Sequence, residues 1–366
     1  MIIRLHVLGG LAAVTVAVAL TGCDPNKDKP ANAGGPTSAG TSASPAASPA
    51  AGSGKYKIIT NGISPFWDSM GKGLDAAKAE LKCGGDWQGP SPAENTAQVS
   101  LFKTAVASKM DGIGVSVIEA KAMAPVIDEA IAAGIPVVTF DSDSPDSKRM
   151  AYIGTNNFEA GKIAGQETVK LFPNGGKLVA FVGNMGAQNA RDRFNGMVEA
   201  TKGHNIEFIA PPFEDNKDKG KARKNVEDAI TRYQGKGLNG LVGLYSYNGP
   251  AIVSAVQAQG LRAKMKIVCF DGEPETLNNL EKGLVDVTVV QKPYEFGRLT
   301  IKLLDALKKD SNNIDKAIGD LKPELDKMNM KVDFKTHVID TGVDVITPSN
   351  AAPFLKSLKD RGLSST

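Results

Sequence analysis

Two stretches of the chain run from apolar residues into Phe-Asp and then break into polar, turn-prone sequence: "VVTFDSDSPD" at residues 137–146 and "IVCFDGEPET" at residues 267–276. Asp141 and Asp271 thus close two buried runs. A carboxylate there can accept hydrogen bonds from a ligand, or cap a following helix. Paired carboxylates across a cleft can also cleave glycosides. The other requirements of catalysis are absent from the sequence. Beyond the first residues the only histidines are His204 and His337, neither near a candidate nucleophile in a recognisable motif. There is no Gly-x-Ser-x-Gly elbow and no Gly-x-x-x-x-Gly-Lys-Ser/Thr phosphate loop. Binding without turnover is the expectation, with no cofactor and no metal. "NARDRF" adds Arg191 and Arg193, two apart on an expected helix and therefore on different faces.

The elements that must position these groups alternate from Lys55 onward. "YKIIT" (56–60) reads as a strand, and Ser64-Pro65 supply an N-cap and a first helical position. Trp67, Met70, Leu74, Ala77 and Leu81 then recur at helical spacing and give one buried face. "DGIGVSV" (111–117) is a strand, "KAMAPVIDEAIAA" (121–133) a helix stopped by Gly134, and "IPVVTF" (135–140) the next strand. After "YIGTNN" the rhythm restarts, with strands at 177–183, "IEFIAPPF", "GLVGLYS" and "KIVCF" separated by amphipathic helices. Such alternation implies parallel sheets covered on both faces, with ligands beyond the carboxyl ends of the strands. Two facing sheets would bring Asp141 and Asp271 into one cleft.

The chain has 366 residues, 42% hydrophobic and 23% charged, enough for two domains with real cores. A net charge of +3 without a basic stripe argues against nucleic acid as a partner. Arg4 precedes the apolar run "VLGGLAAVTVAVAL", too short for a settled membrane-spanning helix, and the run ends in "LTGC". This order resembles the lipobox of bacterial lipoproteins. It implies a signal peptide over residues 1–22, a lipid on Cys23, and a protein held to the cell membrane in the periplasm or another extracytoplasmic space. Residues 23–54, rich in Ala, Gly, Ser and Pro, contain nothing that could build a core and read as a flexible tether. The other two cysteines, Cys83 and Cys269, are expected to be separate buried thiols rather than a disulfide.

"ISPFWDSM", "AAGIPVVTFDSD", "YIGTNNFEAGKIAG", "NARDRFNGM", "IVCFDGEPE" and "VVQKPYEFG" occur in the order found in the type I periplasmic sugar-binding proteins, the ribose-binding-protein-like group, which the chain resembles over residues 55 to about 345. The resemblance implies an α/β fold of two Rossmann-like lobes joined by three crossovers and closing like a hinge over one sugar. One lobe would hold residues 55–154 and 292–338, the other 155–291 and 339–348, with 349–366 as a C-terminal tail. The partners implied are a monosaccharide-type ligand and an ABC transporter permease. A monomer is expected. A ligand-binding sensor feeding a chemoreceptor or kinase is the alternative.

By the same likeness, Asp141 and Asp271 accept hydrogen bonds from sugar hydroxyls, Arg193 donates to the sugar, and Gln291 in "VVQKPY" touches the ligand beside a crossover. Phe66 and Trp67, after Ser64, would stack on the ring, although Trp67 also begins the buried stripe. Phe213 in "PPFEDN" would cover the sugar from the other lobe. Ser142 stands where many relatives have Arg, and Ser116 and Tyr247 where many have Asn, with Asn248 next in the chain. These departures argue for a ligand other than ribose.

Overall fold

The computed structural model describes residues 54–310 and 312–366; the expected signal peptide, Cys23 and the expected tether up to residue 53 lie outside the described residues. The chain builds two mainly parallel sheets with the same winding, each with one antiparallel pair at an edge. In the first half, β1 (Lys55–Ile59), β2 (Gly84–Gln88), β3 (Gly112–Val115), β4 (Val137–Phe140) and β5 (Ala151–Gly154) alternate with α1 (Phe66–Leu81), α2 (Asn95–Ala107) and α3 (Ala120–Ala132). In the second, β6 (Gly176–Val182), β7 (Ile206–Phe208), β8 (Phe213–Glu214), β9 (Leu238–Gly243), β10 (Lys266–Phe270) and β11 (Val287–Val290) alternate with α4 (Asn157–Leu171), α5 (Gln188–Thr201), α6 (Lys219–Tyr233), α7 (Asn248–Ala258) and α8 (Pro274–Glu281). The chain then returns through α9 (Pro293–Lys309), α10 (Ile314–Lys327), β12 (Lys331–Asp333) and β13 (Val338–Asp340), and ends with β14 (Asp344–Ile346) and α11 (Ala351–Asp360).

Sheet order is β12-β13-β5-β4-β3-β1-β2 in one lobe and β14-β11-β10-β9-β6-β7 in the other, with β8 also beside β6. Each sheet thus reverses direction beside its first strand, between β1 and β3 and between β6 and β9. That is where open α/β sheets leave a crevice for ligands. The central strands, such as GIGV, VVTF and VTVV, are buried along their whole length, as parallel strands covered on both faces require. Edge strand β2, "GGDWQ", is half-exposed and opens with two glycines, so its apolar signal is weak.

The chain crosses between lobes at 155–156, 291–292 and 341–343. The last crossing falls later than residue 338, because β13 pairs in parallel with β5 through Asp340 and Gly154 before β14 joins β11 in the other sheet. Helix α1 begins at Phe66, one residue later than expected, without a side-chain cap. Residues 349–366 are more than a tail. Helix α11 packs on α8, with Leu358 and Leu363 against Leu277. The final residues then bridge the lobes: Ser69 Oγ donates to the Ser365 carbonyl (2.8 Å), and Gly272 N to Thr366 Oγ1 (2.9 Å). Cys83 and Cys269 are buried free thiols in the cores of different lobes.

Two helix pairs set how tightly each lobe packs, α1 on α9 and α4 on α5. Both pairs approach through glycines. A Cβ at Gly297 would fall on the Met70 carbonyl, and one at Gly161 on the carbonyl of Arg193. Because the obstacle is backbone, no rotamer change relieves it. Gly161→Ala should therefore cost about 1–3 kcal/mol in denaturant unfolding, as overpacking does. A loss below about 0.5 kcal/mol would show that α4 and α5 can separate freely.

Candidate ligand-binding cleft

Asp141 and Asp271 follow directly on β4 and β10, and both adopt left-handed backbone, with φ of 58° and 64°. Asp tolerates this region better than most residues because its short polar side chain can bond locally. Neighbouring strands hold both conformations. Tyr152 Oη donates to the Asp141 carbonyl (2.9 Å), and Thr288 Oγ1 to the Asp271 carbonyl (2.7 Å). Ser142 N also bonds the Phe140 carbonyl (2.6 Å), closing a γ-turn around Asp141. With their carbonyls fixed behind them, both carboxylates face one interlobe cleft, which holds about 620 Å³ of space including its open mouth.

On the first lobe, Ser116 Oγ donates to Asp141 Oδ2 (2.7 Å), and Asn61 Nδ2 donates to Ser116 Oγ (3.0 Å) and to the same carboxylate oxygen (3.3 Å). Phe66 and Trp67 form the adjoining wall, edge to face at 4.8 Å, and Trp67 meets Phe140 in the same way at 5.9 Å. Phe66 is buried rather than exposed, since it also packs near Phe296. Ser64 lines the mouth.

On the second lobe, Arg193 is 1% exposed. Its Nε donates to Asn157 Oδ1 (2.9 Å) and its Nη1 to the Leu244 carbonyl (2.8 Å), while the guanidinium lies 4.7 Å from the centre of the Phe270 ring. Nη1 is also 3.7 Å from Asp271 Oδ2, an ion pair without a tight hydrogen bond. Nη2 has no partner among the described residues. Gln291 Nε2 donates to Asp271 Oδ1 (2.9 Å), leaving its buried Oε1 unpartnered among the described residues. Arg191, on the other face of α5, donates to the Met185 and Gly186 carbonyls away from this set.

Four expected residues lie outside the cleft lining, the first being Ser116, fully buried behind the Asp141 carboxylate it serves. Phe213 is half-buried, packs tilted near Phe181 at 5.8 Å against the core of its lobe, and lies outside the cleft lining. The chain reaches the cleft only beyond β8, where Lys217 and Lys219 line it, so this wall offers ammonium groups where an aromatic cover was expected. Ser142 is buried behind the cleft. Asn248 serves the wall from behind, its Oδ1 accepting from Tyr245 N (3.0 Å) and its Nδ2 donating to Asp215 (3.0 Å). Tyr247 does line the cleft and donates its hydroxyl to buried Asp215. Asn61, Asn189, Lys217 and Tyr245 are cleft residues that pattern reading missed. Asn61, Lys217 and Tyr245 sit in loops after strands, where neither helical nor strand periodicity marks them, and Asn189 sits in the first turn of α5.

Burial is the main cause of every carboxylate shift here. It raises Asp141 to about 6, against the opposing influence of Arg193 and Ser116, and raises Asp271 despite Arg193 and Gln291. Asp215 is likewise raised to about 6 by burial, although Tyr247 opposes it. Burial lowers Lys217 to about 7, with Asp141 and Asp215 acting the other way.

The chain belongs to the periplasmic binding protein family: the family model for the periplasmic binding protein domain matches residues 58–311. Among relatives, it is 25% identical over 326 residues to the xylose/arabinose-binding protein XylF of Sulfolobus acidocaldarius, covering 84% of this chain and 73% of that protein. It is 27% identical over 264 residues to the D-allose-binding periplasmic protein of Escherichia coli, covering 68% of this chain and 83% of that one. In three dimensions it matches an ABC transporter solute-binding protein of Burkholderia graminis in complex with D-arabinose. There the TM-score is 0.69 and the identity 26%, over 81% of this chain and 96% of the other.

A carboxyl whose folded-state pKa is raised stabilises the fold below its unfolded value and loses that contribution as pH rises through the folded value. For Asp141 the window runs from about 4 to about 6. The ligand-free protein should lose stability relative to Asp141→Asn across that window. Urea unfolding of both proteins from pH 4 to 7 reads the difference, and a pH-independent difference would mean that Asp141 ionises as if exposed.

Proposed function

We propose that the protein captures a monosaccharide or similar small polyhydroxylated molecule between its lobes and hands it, unchanged, to an ABC import permease. One observation carries this reading: two strand-end carboxylates, one from each lobe, converge with a buried guanidinium that keeps an unused donor, beside the wall of Phe66 and Trp67. A sugar is a ring of hydroxyls with an apolar face. Its hydroxyls need charged acceptors and donors around the rim, because burying them unpaired is costly. Its face needs an aromatic surface. The sugar-binding relatives and the D-arabinose-bound structural match support the same ligand class.

In this reading ligand first meets one lobe, the hinge closes, and the second lobe completes the shell. The closed state is favoured by its greater affinity for the ligand. Asp141 and Asp271 accept from hydroxyls, Arg193 Nη2 and Gln291 Oε1 find partners in the ligand, and no bond is made or broken. Lipidation at Cys23 would hold the protein at the membrane, and the tether would let it reach both ligand and permease. "LTGC" and the Ala/Gly/Ser/Pro stretch support that arrangement.

A thermal-shift panel of D-xylose, D-arabinose, D-allose and related sugars tests the function, since bound ligand stabilises in proportion to the logarithm of its concentration over Kd. At least one should raise the Tm. Asp271→Ala should then weaken that ligand roughly 10- to 100-fold, as expected for a hydrogen bond to a charged group. Unchanged affinity would place the ligand elsewhere, and recovery of chemically altered sugar would make the protein an enzyme.

A further inference from the structure

The cleft is bridged at one point by a side chain with no assigned role. Lys217 belongs to the second lobe, and its Nζ donates to the main-chain carbonyl of Asn61 in the first. Nearby, the Glu119 side chain of the first lobe reaches Gly186 of the second, where a Cβ would collide with it. The lobes therefore meet across the cleft mouth at more than one place. Lys217 does so while also lining, with Asn61, the cavity shared by Asp141, Arg193 and Asp271.

The backbone is bent to put it there. Asn216 and Lys217 are consecutive non-glycine residues in the left-handed region, with φ of 55° and 64°. Such a pair is disfavoured and persists only where its surroundings hold it. Asp215 provides the hold. Its Oδ1 accepts from Lys217 N (2.8 Å) and from the Tyr247 hydroxyl, its Oδ2 from Asn248 Nδ2 (3.0 Å), and its carbonyl from Asp218 N (3.2 Å). A buried carboxylate with three bonds, and a fourth to the main-chain carbonyl of the same residue, thus fix a strained turn whose outward product is the aim of one ammonium group.

The receiving end is equally specific. Asn61, whose carbonyl takes the Lys217 bond, turns its side-chain amide onto Ser116 and Asp141. Contact between the lobes is thereby connected to the carboxylate that faces the cavity. Opening the hinge must break the Lys217–Asn61 bond before anything in the cleft can leave.

We propose that Lys217 is the closure latch of this cleft, a positioning residue that holds the lobes together through Asn61 and sets how long a bound molecule stays. The proposal rests on reading the interlobe cleft as the ligand site. A latch made only in the closed state acts on dissociation and leaves association largely alone.

The test places spin labels at two exposed helix positions, Lys103→Cys in the first lobe and Lys224→Cys in the second, in the full chain with Lys217, Lys217→Met or Lys217→Arg. Interlobe distances are measured without sugar and with D-xylose, D-arabinose and D-allose in turn. Lys217→Met should move population towards longer distances, and Lys217→Arg should restore the shorter ones. For any sugar that closes the wild type, Lys217→Met should raise the dissociation rate about tenfold or more, the scale of one lost hydrogen bond to a charged group. Identical distance distributions for wild type and Lys217→Met under all conditions would overturn the latch. If no sugar shifts the wild type, the sugar-binding reading fails, and the ligand-free comparison of the same three proteins still decides the latch.

Discussion

The structure turns on a guanidinium taken almost wholly out of water. Arg193 is 1% exposed, and an ion so placed is tolerable only when paired and hydrogen-bonded. Here the compensation comes from four groups: Asn157 at the start of α4, the Leu244 carbonyl after β9, the Phe270 ring on β10, and Asp271 at the end of that strand. The arrangement stops short of completion, because the approach to Asp271 is long and Nη2 is left over. A fully satisfied network would be a structural ion pair. An almost satisfied one, on a residue that lines the cleft, is what the proposed binding of hydroxyls would complete.

From that constraint the rest of the second lobe follows. Arg193 projects from α5 and donates to Asn157 at the start of α4, so those helices must lie close, and Gly161 lets the backbone of one lie on the Arg193 carbonyl of the other. The first lobe repeats the plan with other residues. Gly297 brings α9 onto α1, and Phe66 and Trp67, in the first turn of α1, take the place on the cleft wall that Arg193 holds opposite. Each lobe then ends a central strand in a left-handed aspartate whose carbonyl is tied back by a hydroxyl from the adjacent strand. Two copies of one winding thus yield two carboxylates of similar geometry and different company: Asp141 among Ser116 and Asn61, Asp271 between Arg193 and Gln291.

Much of this was legible in the sequence, because periodicity reports burial and strand ends report position. The alternation of strands and helices, the convergence of Asp141 with Asp271, and the choice of Arg193 over Arg191 rest on spacing or on family-like motifs; the alternation is the observed fold, and Asp141, Asp271 and Arg193 line one cleft. What escaped lies where spacing says nothing. Phe213 was expected in the cleft, yet strand β8 packs it on Phe181, and the cleft wall is built from the loop just beyond, whose Asp215 and Lys217 are placed by left-handed backbone that no local pattern marks. The last residues read as a tail because their helix is short. Their role depends on contacts with Ser69 and Gly272, nearly 300 and 100 residues distant.

The most direct test is a crystal structure of the protein with the sugar that stabilises it best. The account predicts the sugar between the lobes, its hydroxyls within hydrogen-bond distance of Asp141, Asp271 and Arg193 Nη2, and one face against Phe66 or Trp67. A sugar bound elsewhere, or one in the cleft that leaves Arg193 Nη2 without a partner, would contradict it.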